Sequence, residues 1–262
     1  MSDTQTSAVT ALKTLLTDPG DSNSAAFGEY LAEGVVLKSP FMPAEGREGV
    51  LAAIGNPMIS GFIAGAEWSE PSEEGDAVTV KASLPPGRPL GGFAFGLVSG
   101  GDGKVIRIEQ DMLPPAPVEL APLKLTEEIR TSMENAIPDQ KVALIAYVDA
   151  EGQPRLSYRG STQVYSDDQL AMWIRDPNGG LVRAIAANPR VTLMQGSTPG
   201  MMYEFQGRAR VDSSEEARER VYSGSAQAEQ NQDWRRRGVA VIIDLDRVDG
   251  LGMAGRLSLA RQ

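Results

Sequence analysis

The chain opens with apolar side chains at helical spacing. Residues 7–18, SAVTALKTLLTD, place Val9, Leu12, Leu15 and Leu16 three or four positions apart, which puts them on one face of a helix. The Asp-Pro-Gly sequence that follows ends the pattern, because proline and glycine both interrupt helices. The pattern therefore predicts an amphipathic helix that packs its apolar face on a core.

The rest of the first half predicts two further helices and then several strands. The helices are AAFGEYLAEG, residues 25–34, and EGREGVLAAIG, residues 45–55, which ends at a glycine. The strand-like runs are VVLKSP, GFIAGAEWSE, AVTVKASLP, GGFAFGLVS and KVIRIEQDML. Helices followed by antiparallel strands predict a curved sheet wrapped on helices, an α+β architecture.

A proline-rich stretch separates the two halves. Residues 111–124, DMLPPAPVELAPLK, hold four prolines and little periodicity, which is typical of an extended linker between domains. We therefore predict a first domain at residues 1–113, a linker at residues 114–123 and a second domain at residues 124–262. Both domains have ordinary sizes for units with a core of their own.

The second half alternates short strands with small helices. A helix is predicted in LTEEIRTSMENA, where Thr126 can cap the first turn and two glutamates suit the positive helix end. A hairpin about a Glu-Gly turn follows. The later segments are QLAMWIR, NGGLVRAIAANPRV, MMYEFQGRARV, SSEEARERVYSG and GVAVIIDLDRVDGLG. Many short strands with small helices between them predict a β-barrel.

The segment NGGLVRAIAANPRV, residues 178–191, places an arginine in a short apolar helix. Leu181 and Ile185 lie four positions apart and share a buried stripe, whereas Arg183 lies about 200° around the helix from Leu181. Arg183 therefore points away from the core, either into solvent or into a groove beside the barrel.

Composition restricts the chemistry that this chain of 262 residues can perform. It contains no cysteine and no histidine, which excludes disulfides, thiolate nucleophiles, Ser-His-Asp catalysis and histidine-ligated zinc or haem. Chemistry must come from carboxylates, Lys, Arg, Tyr, backbone groups or a bound organic cofactor. A cofactor would supply the reactivity that these side chains lack, and we expect no metal.

Charge restricts the partners. The net charge is −10 and the isoelectric point is near 4.7, which argues against binding to nucleic acid or to an anionic membrane surface. No apolar run approaches the roughly 20 residues that span a bilayer. The first residues, MSDTQTSAVT, lack the basic and apolar regions of a signal peptide. We expect a cytoplasmic protein that contacts neither nucleic acid nor membrane.

The first half resembles the nuclear transport factor 2-like cone domain, the fold of small SnoaL-like polyketide cyclases. The resemblance covers residues 8–113 and rests on the opening helix, YLAEGVVLKSP, EGREGVLAAI and GKVIRIEQDML. Catalytic members of that family often use an Asp or His dyad inside the cone, and the dyad cannot be carried over to a chain without histidine. Glu45, Arg47, Glu109 and Asp111 either line a cavity or form ion pairs at the surface.

The second half resembles the FMN-binding split barrel of the pyridoxamine-5′-phosphate-oxidase-like superfamily. The resemblance runs over about residues 124–250 and rests on the order and spacing of its segments. The first segments are a helix, the hairpin VALIAYVDAEGQPRLS and the strand QLAMWIR. A glycine-containing turn and a short helix come next and end at ANPRV. The strands FQGRARV and GVAVIIDLDRVDG follow.

The resemblance implies a set of flavin-binding residues. Arg159 would hold the FMN phosphate, and the backbone of residues 159–164 would run beside the isoalloxazine ring. The basic pair that the family places before the short helix aligns with Gly180-Leu181, so helix amides and Arg183 would replace it. The cofactor-binding residues expected on this basis are Arg159, Gly160, Ser161, Ile174, Arg175, Gly180 and Arg183.

Two other features leave alternatives open. The run DWRRRG, residues 233–238, either reaches a ligand phosphate or a neighbouring subunit, or forms a solvated turn. Trp173 and Trp234 are interpreted as core or dimer-interface aromatics rather than residues that stack on a ring.

These observations favour a flavin-dependent oxidoreductase that uses FMN or a deazaflavin and transfers hydride to or from a small organic molecule. Tyr158, Tyr165 or Tyr203 could donate a proton. The resemblance also implies a homodimer, since family members bind flavin across a two-fold interface. One alternative is a cofactor-free isomerase, cyclase or lyase that uses the cone cavity, with the split barrel as a dimerisation scaffold. Another is a non-enzymatic protein that binds flavin, haem or another small ligand.

Overall fold

Two units, each with its own sheet and apolar core, make up the chain. The computed structural model describes residues 2–196, 201–253 and 255–262. The two compact units are Met1–Pro117 and Val118–Gln262. The boundary between them falls inside the proline-rich stretch, as expected for an extended segment with little capacity to form a core of its own.

The first unit packs helices on one mixed sheet. Among the described residues its helices are α1 (Asp3–Thr17), α2 (Asp21–Gly28), α3 (Arg47–Ile54) and α4 (Pro57–Ile63). Its strands are β1 (Leu31–Lys38), β2 (Ala44–Glu45), β3 (Glu67–Trp68), β4 (Ser72–Glu74), β5 (Ala77–Ser83), β6 (Gly92–Ser99) and β7 (Val105–Leu113). The strand order is β2-β1-β7-β6-β5-β3, with β4 beside β5. The pair β1–β7 is parallel and the others are antiparallel.

Apolar side chains of the helices and the sheet fill the centre of the first unit. The helix predicted at the start of the chain is confirmed as α1, which begins at a capping box formed by Ser2 and Gln5. Its residues Val9, Leu12 and Leu16 are buried in the core together with side chains of β5, β6 and β7. Burial of this stripe stabilises the helix more than its own propensity does.

Two boundaries predicted in the first unit are wrong. The helix predicted over residues 25–34 ends at Gly28, and β1 starts at Leu31 because these residues pair with β7, some 70 positions away. The strand predicted over residues 61–70 is instead the end of α4 followed by the two-residue β3. Asn56 caps α4 with Pro57 in its first turn, a signal for a helix start that the alternating apolar pattern concealed.

The second unit contains nine strands and four helices among its described residues. The helices are α5 (Glu127–Glu134), α6 (Gly180–Ala187), α7 (Glu215–Gly224) and α8 (Gln227–Gln232). The strands are β8 (Leu120–Pro122), β9 (Ala143–Val148), β10 (Pro154–Arg159), β11 (Gln163–Val164), β12 (Gln169–Ile174), β13 (Arg190–Gly196), β14 (Met202–Asp212), β15 (Val239–Gly252) and β16 (Gly255–Ala260). They form a sheet in the order β10-β9-β13-β14-β15-β12-β11, with β16 on β15 and β8 on β16.

The sheet of the second unit carries apolar clusters on both faces. The larger cluster combines α5, α6 and the inward side chains of β9, β12, β13, β14 and β15. The smaller cluster lies on the other face of β12 and β15, where Trp173 packs with Val221 and Tyr222 of α7. Strands β12 and β15 are therefore covered on both sides, as their nearly continuous apolar sequences require.

Sequence patterns identified most elements of the second unit but missed three. The helices expected at LTEEIRTSMENA, in NGGLVRAIAANPRV and in SSEEARERVYSG are confirmed as α5, α6 and α7. Strand β8 lies inside the segment predicted as a linker, where it pairs in parallel with β16. Neither β8, β16 nor α8 was predicted, because three to six residues without clear periodicity carry too little local signal.

The helices of the described residues are all too short or too polar to cross a membrane.

We expect Thr126→Ala to lower the free energy of unfolding of the second unit by about 1 kcal/mol. The Thr126 side chain accepts a hydrogen bond from the Ile129 amide at the start of α5, and alanine would leave that amide without its cap. Thr131→Ala is the matched control because Thr131 is an exposed interior residue of the same helix. Urea unfolding followed by circular dichroism measures both, and equal midpoints would contradict the capping role.

Candidate functional site

A cavity of about 280 Å³ lies in the second unit where the ends of β10 and β12 meet the start of α6. We call it the α6 cavity. Its walls contain six of the expected cofactor-binding residues, together with neighbours from the same elements and from α8. The lining residues expected from the sequence are Arg159, Gly160, Ser161, Ile174, Arg175 and Gly180. Residues from three separate stretches of sequence therefore meet at one place.

Strand register directs the Arg159 side chain toward the interior of the second unit. Arg159 pairs with Ala143, and Ser157 pairs with Ile145 on the neighbouring strand β9. Ala143 and Ile145 are both buried in the core, and directly paired residues share one face of a sheet. Arg159 thus extends from the inner face of β10 toward the cavity.

The Arg159 guanidinium has no partner within the described part of the chain. Its Nε is buried without a hydrogen bond, and no ion pair involves it (among residues 2–196, 201–253 and 255–262). Burial lowers the pKa of Arg159, while the nearby Tyr147 raises it and Arg175 lowers it. An arginine stays charged at neutral pH despite such a shift, so the cavity contains a charged side chain whose buried Nε makes no hydrogen bond.

Strand β10 reverses the usual distribution of polar and apolar side chains. Its outward residues Leu156 and Tyr158 are 67% and 74% exposed. Its inward residues Ser157 and Arg159 each carry a buried polar atom without a hydrogen bond in the described structure. Buried polar atoms are normally paired, and large apolar side chains are normally covered. Both faces of β10 therefore present surfaces suited to a further partner.

The start of α6 supplies backbone donors to the same cavity. Gly179 is the N-cap and provides no side-chain cap. The first hydrogen bond within the helix is donated by the Arg183 amide to the Gly179 carbonyl. The amides of Gly180, Leu181 and Val182 consequently have no acceptor in the described structure, as expected for a first helical turn. Such amides and the positive end of the helix dipole favour an anion.

Two arginines of the expected set differ in position. Arg175 lines the α6 cavity and donates a hydrogen bond to Gln232 at the end of α8. Arg183 is exposed, donates to the Asn178 carbonyl and does not line the cavity. Leu181 and Ile185 occupy the buried stripe as predicted. Arg183 therefore points into solvent, and the structure does not bring it to the other six residues.

Ser161 and Trp173 fix the wall between β10 and β12. The Ser161 hydroxyl donates to the Trp173 carbonyl at 2.8 Å and accepts from the Trp173 amide at 3.2 Å. The Trp173 indole donates to Asp233 at 2.9 Å. Both ends of this connection are buried. Both hydrogen bonds of the Ser161 hydroxyl thus go to the Trp173 backbone. Ser161 fixes the shape of the cavity wall and does not offer its hydroxyl to a ligand.

Asp233 is held in its charged form. Burial alone raises the pKa of a carboxyl, but the amides of Arg237 and Gly238 and the Trp173 indole donate to Asp233 and lower its pKa below the ordinary value. Trp173 also makes an edge contact with Tyr222, with ring centroids 5.2 Å apart. The wall of the cavity is therefore tied to α7 and to the turn before β15.

Three residues of the site were missed by the sequence patterns. Tyr147 lies on the inward side of β9, and its hydroxyl is 3.6 Å from the point where a Cβ on Gly180 would lie. Asp176 and Glu229 line the α6 cavity. Alternation along β9 could have identified Tyr147, since it follows Ala143 and Ile145 on the same face. No local signal identifies Glu229, which is on the unpredicted α8.

The basic run DWRRRG forms a turn outside the cavity. Arg236 forms an ion pair with Glu219, and Arg235 lies over the Trp234 ring with its guanidinium carbon 4.6 Å from the ring centroid. Trp173 is a core residue as expected, whereas Trp234 is 70% exposed and is not. A role of Trp234 at a dimer interface stays a prediction.

Of the candidate polar residues of the first unit, Glu109 and Asp111 line an open pocket, and Glu45 and Arg47 do not line it. Arg47 pairs with Glu33 at 2.9 Å, and Glu109 pairs with Arg107 at 2.9 Å. Glu45 and Asp111 are exposed. The buried polar residues of the described first unit are Thr79 and Gln110. Neither titrates, so the core of this unit contains no described acid–base pair.

The site thus belongs to a class of mixed helix and sheet domains with an anion-favouring cavity at a sheet edge. Residues 125–251, just under half of the chain, match the family model described as pyridoxamine 5′-phosphate oxidase. All of the α6 cavity lies within this match. No curated protein matches the chain.

Several solved structures are similar to about half of the chain. HupZ of Group A Streptococcus is 19% identical, with coverage of 51% of this chain and 98% of that one and a TM-score of 0.41. General stress protein 26 of Bacillus anthracis is 15% identical, with coverage of 47% and 93% and a TM-score of 0.38. A NimC/NimA family protein of Clostridium acetobutylicum is 16% identical, with coverage of 49% and 91% and a TM-score of 0.38.

We expect Asp233→Asn to destabilise the protein at pH 7 and to lose this effect in acid. Because the folded-state pKa of Asp233 is lowered, the charged carboxylate adds stability above the unfolded-state pKa of about 3.9. That stability disappears as the pH falls through the folded-state value. Urea unfolding of both proteins between pH 7 and pH 3 measures the difference, and a gap that stays constant with pH would contradict the role of the charge.

Proposed function

We propose that the second unit binds the phosphate of a flavin, FMN or a deazaflavin cofactor, in the α6 cavity. The observation that carries the proposal is the half-buried Arg159, whose Nε is buried and has no hydrogen-bond partner in the described structure. It lines the same cavity as the start of α6, which has no side-chain cap. The family match over residues 125–251 supports the same interpretation.

The donors around the cavity suit a phosphate monoester. Arg159 offers charged N–H groups, and Gly180, Leu181 and Val182 offer backbone amides. Phosphate binds best where a cation and several amides converge. The basic pair expected before the helix is replaced by Gly180-Leu181, so the site relies on one buried arginine and on the helix start. The cavity of about 280 Å³ is large enough for a phosphate group.

We propose that the protein is an oxidoreductase that acts on a small organic molecule. A bound flavin would supply hydride transfer, which amino-acid side chains do not provide. Arg159 and the α6 amides would orient the cofactor by holding its phosphate. Of the three tyrosines considered as proton donors, Tyr158 borders the α6 cavity, but its side chain lies on the outer face of β10 and is 74% exposed. Tyr203 is fully buried with a raised pKa caused by burial and by Glu128, and Tyr165 lies under Arg220.

We further propose that the first unit is a nuclear transport factor 2-like cone domain. Four helices packed against a mixed sheet support this assignment. Its described core is apolar apart from Thr79 and Gln110, which does not favour the alternative of cofactor-free acid–base catalysis there. Specific recognition of the substrate is a role that this unit could fill.

We propose a homodimer formed through the outer face of β9, β10 and β13. Two rows of paired residues cross these strands without a charged side chain: Leu156, Ala146 and Thr192 in one row, and Tyr158, Leu144 and Met194 in the other. Exposed apolar patches of this kind mark interaction surfaces. A second copy is the expected occupant because these rows carry no charged side chain that would repel its counterpart on an identical chain.

We expect Arg159→Ala to weaken FMN binding at least about tenfold, since a lost charge-assisted hydrogen bond costs about 1.5–3 kcal/mol. Quenching of FMN fluorescence by the full chain measures the dissociation constant. Arg183→Ala is the matched control, because Arg183 carries the same charge but points into solvent. Unchanged affinity in Arg159→Ala, or no binding of FMN or a deazaflavin by the natural protein, would overturn the proposed function.

We expect the natural protein to be a dimer in solution and Leu156→Glu to be a monomer. The substitution places a charge at the centre of the exposed apolar face, where burial in an interface would be costly. Light scattering coupled to gel filtration measures the mass. Ile106→Glu, at an exposed apolar position of the first unit, is the control that should remain dimeric. A dimer unaffected by Leu156→Glu would place the interface elsewhere.

A further inference from the structure

The α6 cavity already contains an anion of the chain itself. Glu229 lines the cavity from α8. Its carboxylate lies over the Gly160 α-carbon, in the place that a Cβ would take at that position. Glycine at 160 therefore permits this approach. The carboxylate also acts electrostatically on Arg159, the unpartnered cation of the site, and raises the pKa of Arg159.

The other carboxylate of the cavity is held by its own turn. Asp176 accepts a hydrogen bond from the Asn178 amide at 2.9 Å, and its carbonyl accepts from Gly179 at 3.0 Å. These bonds fix Asp176 as part of the loop before α6. The Glu229 side chain has no hydrogen bond or ion pair within the described structure, so its carboxylate is free to leave without breaking one.

Helix α8 is weakly attached for a segment that reaches a binding site. It has six residues, none of them buried, and its N-cap Ala226 provides no side-chain cap. It is held by Gln230, which donates to the Ser225 carbonyl at 2.7 Å and accepts from Tyr222 at 3.1 Å, and by the bond from Arg175 to Gln232. Segments with few buried contacts open at low free-energy cost.

We propose that Glu229 is an internal competitor for the phosphate site and that its carboxylate must withdraw for a phosphate to enter. The proposal rests on the proposed function of the α6 cavity. With Glu229 in place, the two arginines of the cavity, Arg159 and Arg175, face two carboxylates, Asp176 and Glu229. A phosphate dianion meets a cavity without excess positive charge until Glu229 withdraws.

The effect of Glu229 depends on the charge of the ligand. Glu229 disfavours a dianionic phosphate strongly, because each negative charge of the ligand is repelled in a partly desolvated site. A neutral ligand with the same ring, such as riboflavin, gains nothing from removal of the Glu229 charge. Glu229 thus sets how strongly the protein selects for or against a phosphorylated ligand.

The test compares Glu229→Gln with Glu216→Gln in the full chain. Glutamine keeps the size of the side chain beside Gly160 and removes its charge. Glu216 is an exposed residue of α7 outside the cavity, so its substitution changes the net charge equally. FMN and riboflavin are titrated against each protein by flavin fluorescence, with circular dichroism as a check of folding. We expect Glu229→Gln to bind FMN about tenfold more tightly, with riboflavin unchanged and Glu216→Gln like the natural protein.

Each outcome decides the question. A gain for FMN alone in Glu229→Gln, over measurable binding by the natural protein, supports the proposal. Binding of FMN by that variant alone overturns the proposed function of the natural protein and the competition with it. Equal FMN affinity in Glu229→Gln and the natural protein overturns the competition and leaves the proposed flavin site standing. An equal gain for riboflavin shows that size or packing changed instead of charge, and overturns it as well. Absence of FMN binding in all three proteins overturns the competition and the proposed function together.

Discussion

The site depends on how Trp173 is held at the end of β12. Its backbone exchanges two hydrogen bonds with Ser161, its indole donates to Asp233, and its ring packs on Tyr222. The segment after β10, helix α7 and the turn before β15 are thereby anchored to one strand of the sheet. Since Asp233 also accepts two backbone amides, this connection is a satisfied buried network, which makes its geometry unique. The walls of the α6 cavity are placed by that network.

Strand β10 has side chains without partners on both of its faces, and this is the clearest sign of function in the second unit. Its inner face holds Arg159 without a partner, and its outer face exposes Leu156 and Tyr158. A strand of an isolated domain would be expected to reverse these sides, with apolar residues inward. The reversed arrangement is consistent with an anion inside and a protein surface outside. One short strand would then join cofactor binding to association of two copies.

The α6 cavity contains carboxylates as well as arginines, and in this it differs from a phosphate site that contains only cations. Arg159 and Arg175 are offset by Asp176 and Glu229, and the family's basic pair is absent at Gly180-Leu181. Helix amides compensate in part, because their partial charges are fixed and need no counterion. In such a site, affinity for phosphate depends on which carboxylates can move. The weakly held α8 makes Glu229 the movable one, while its own turn holds Asp176.

The sequence by itself determined the elements with strong periodicity or caps and the residue types of the site. Val9 to Leu16, Thr126, and Leu181 with Ile185 each carry a local pattern that a helix satisfies, and helical geometry alone placed Arg183 away from the core. Only the tertiary structure decided that β1 begins at Leu31, that β8 and β16 pair, and that Glu229 enters the cavity. These features depend on pairing and packing between residues far apart in the chain, which local propensity does not encode.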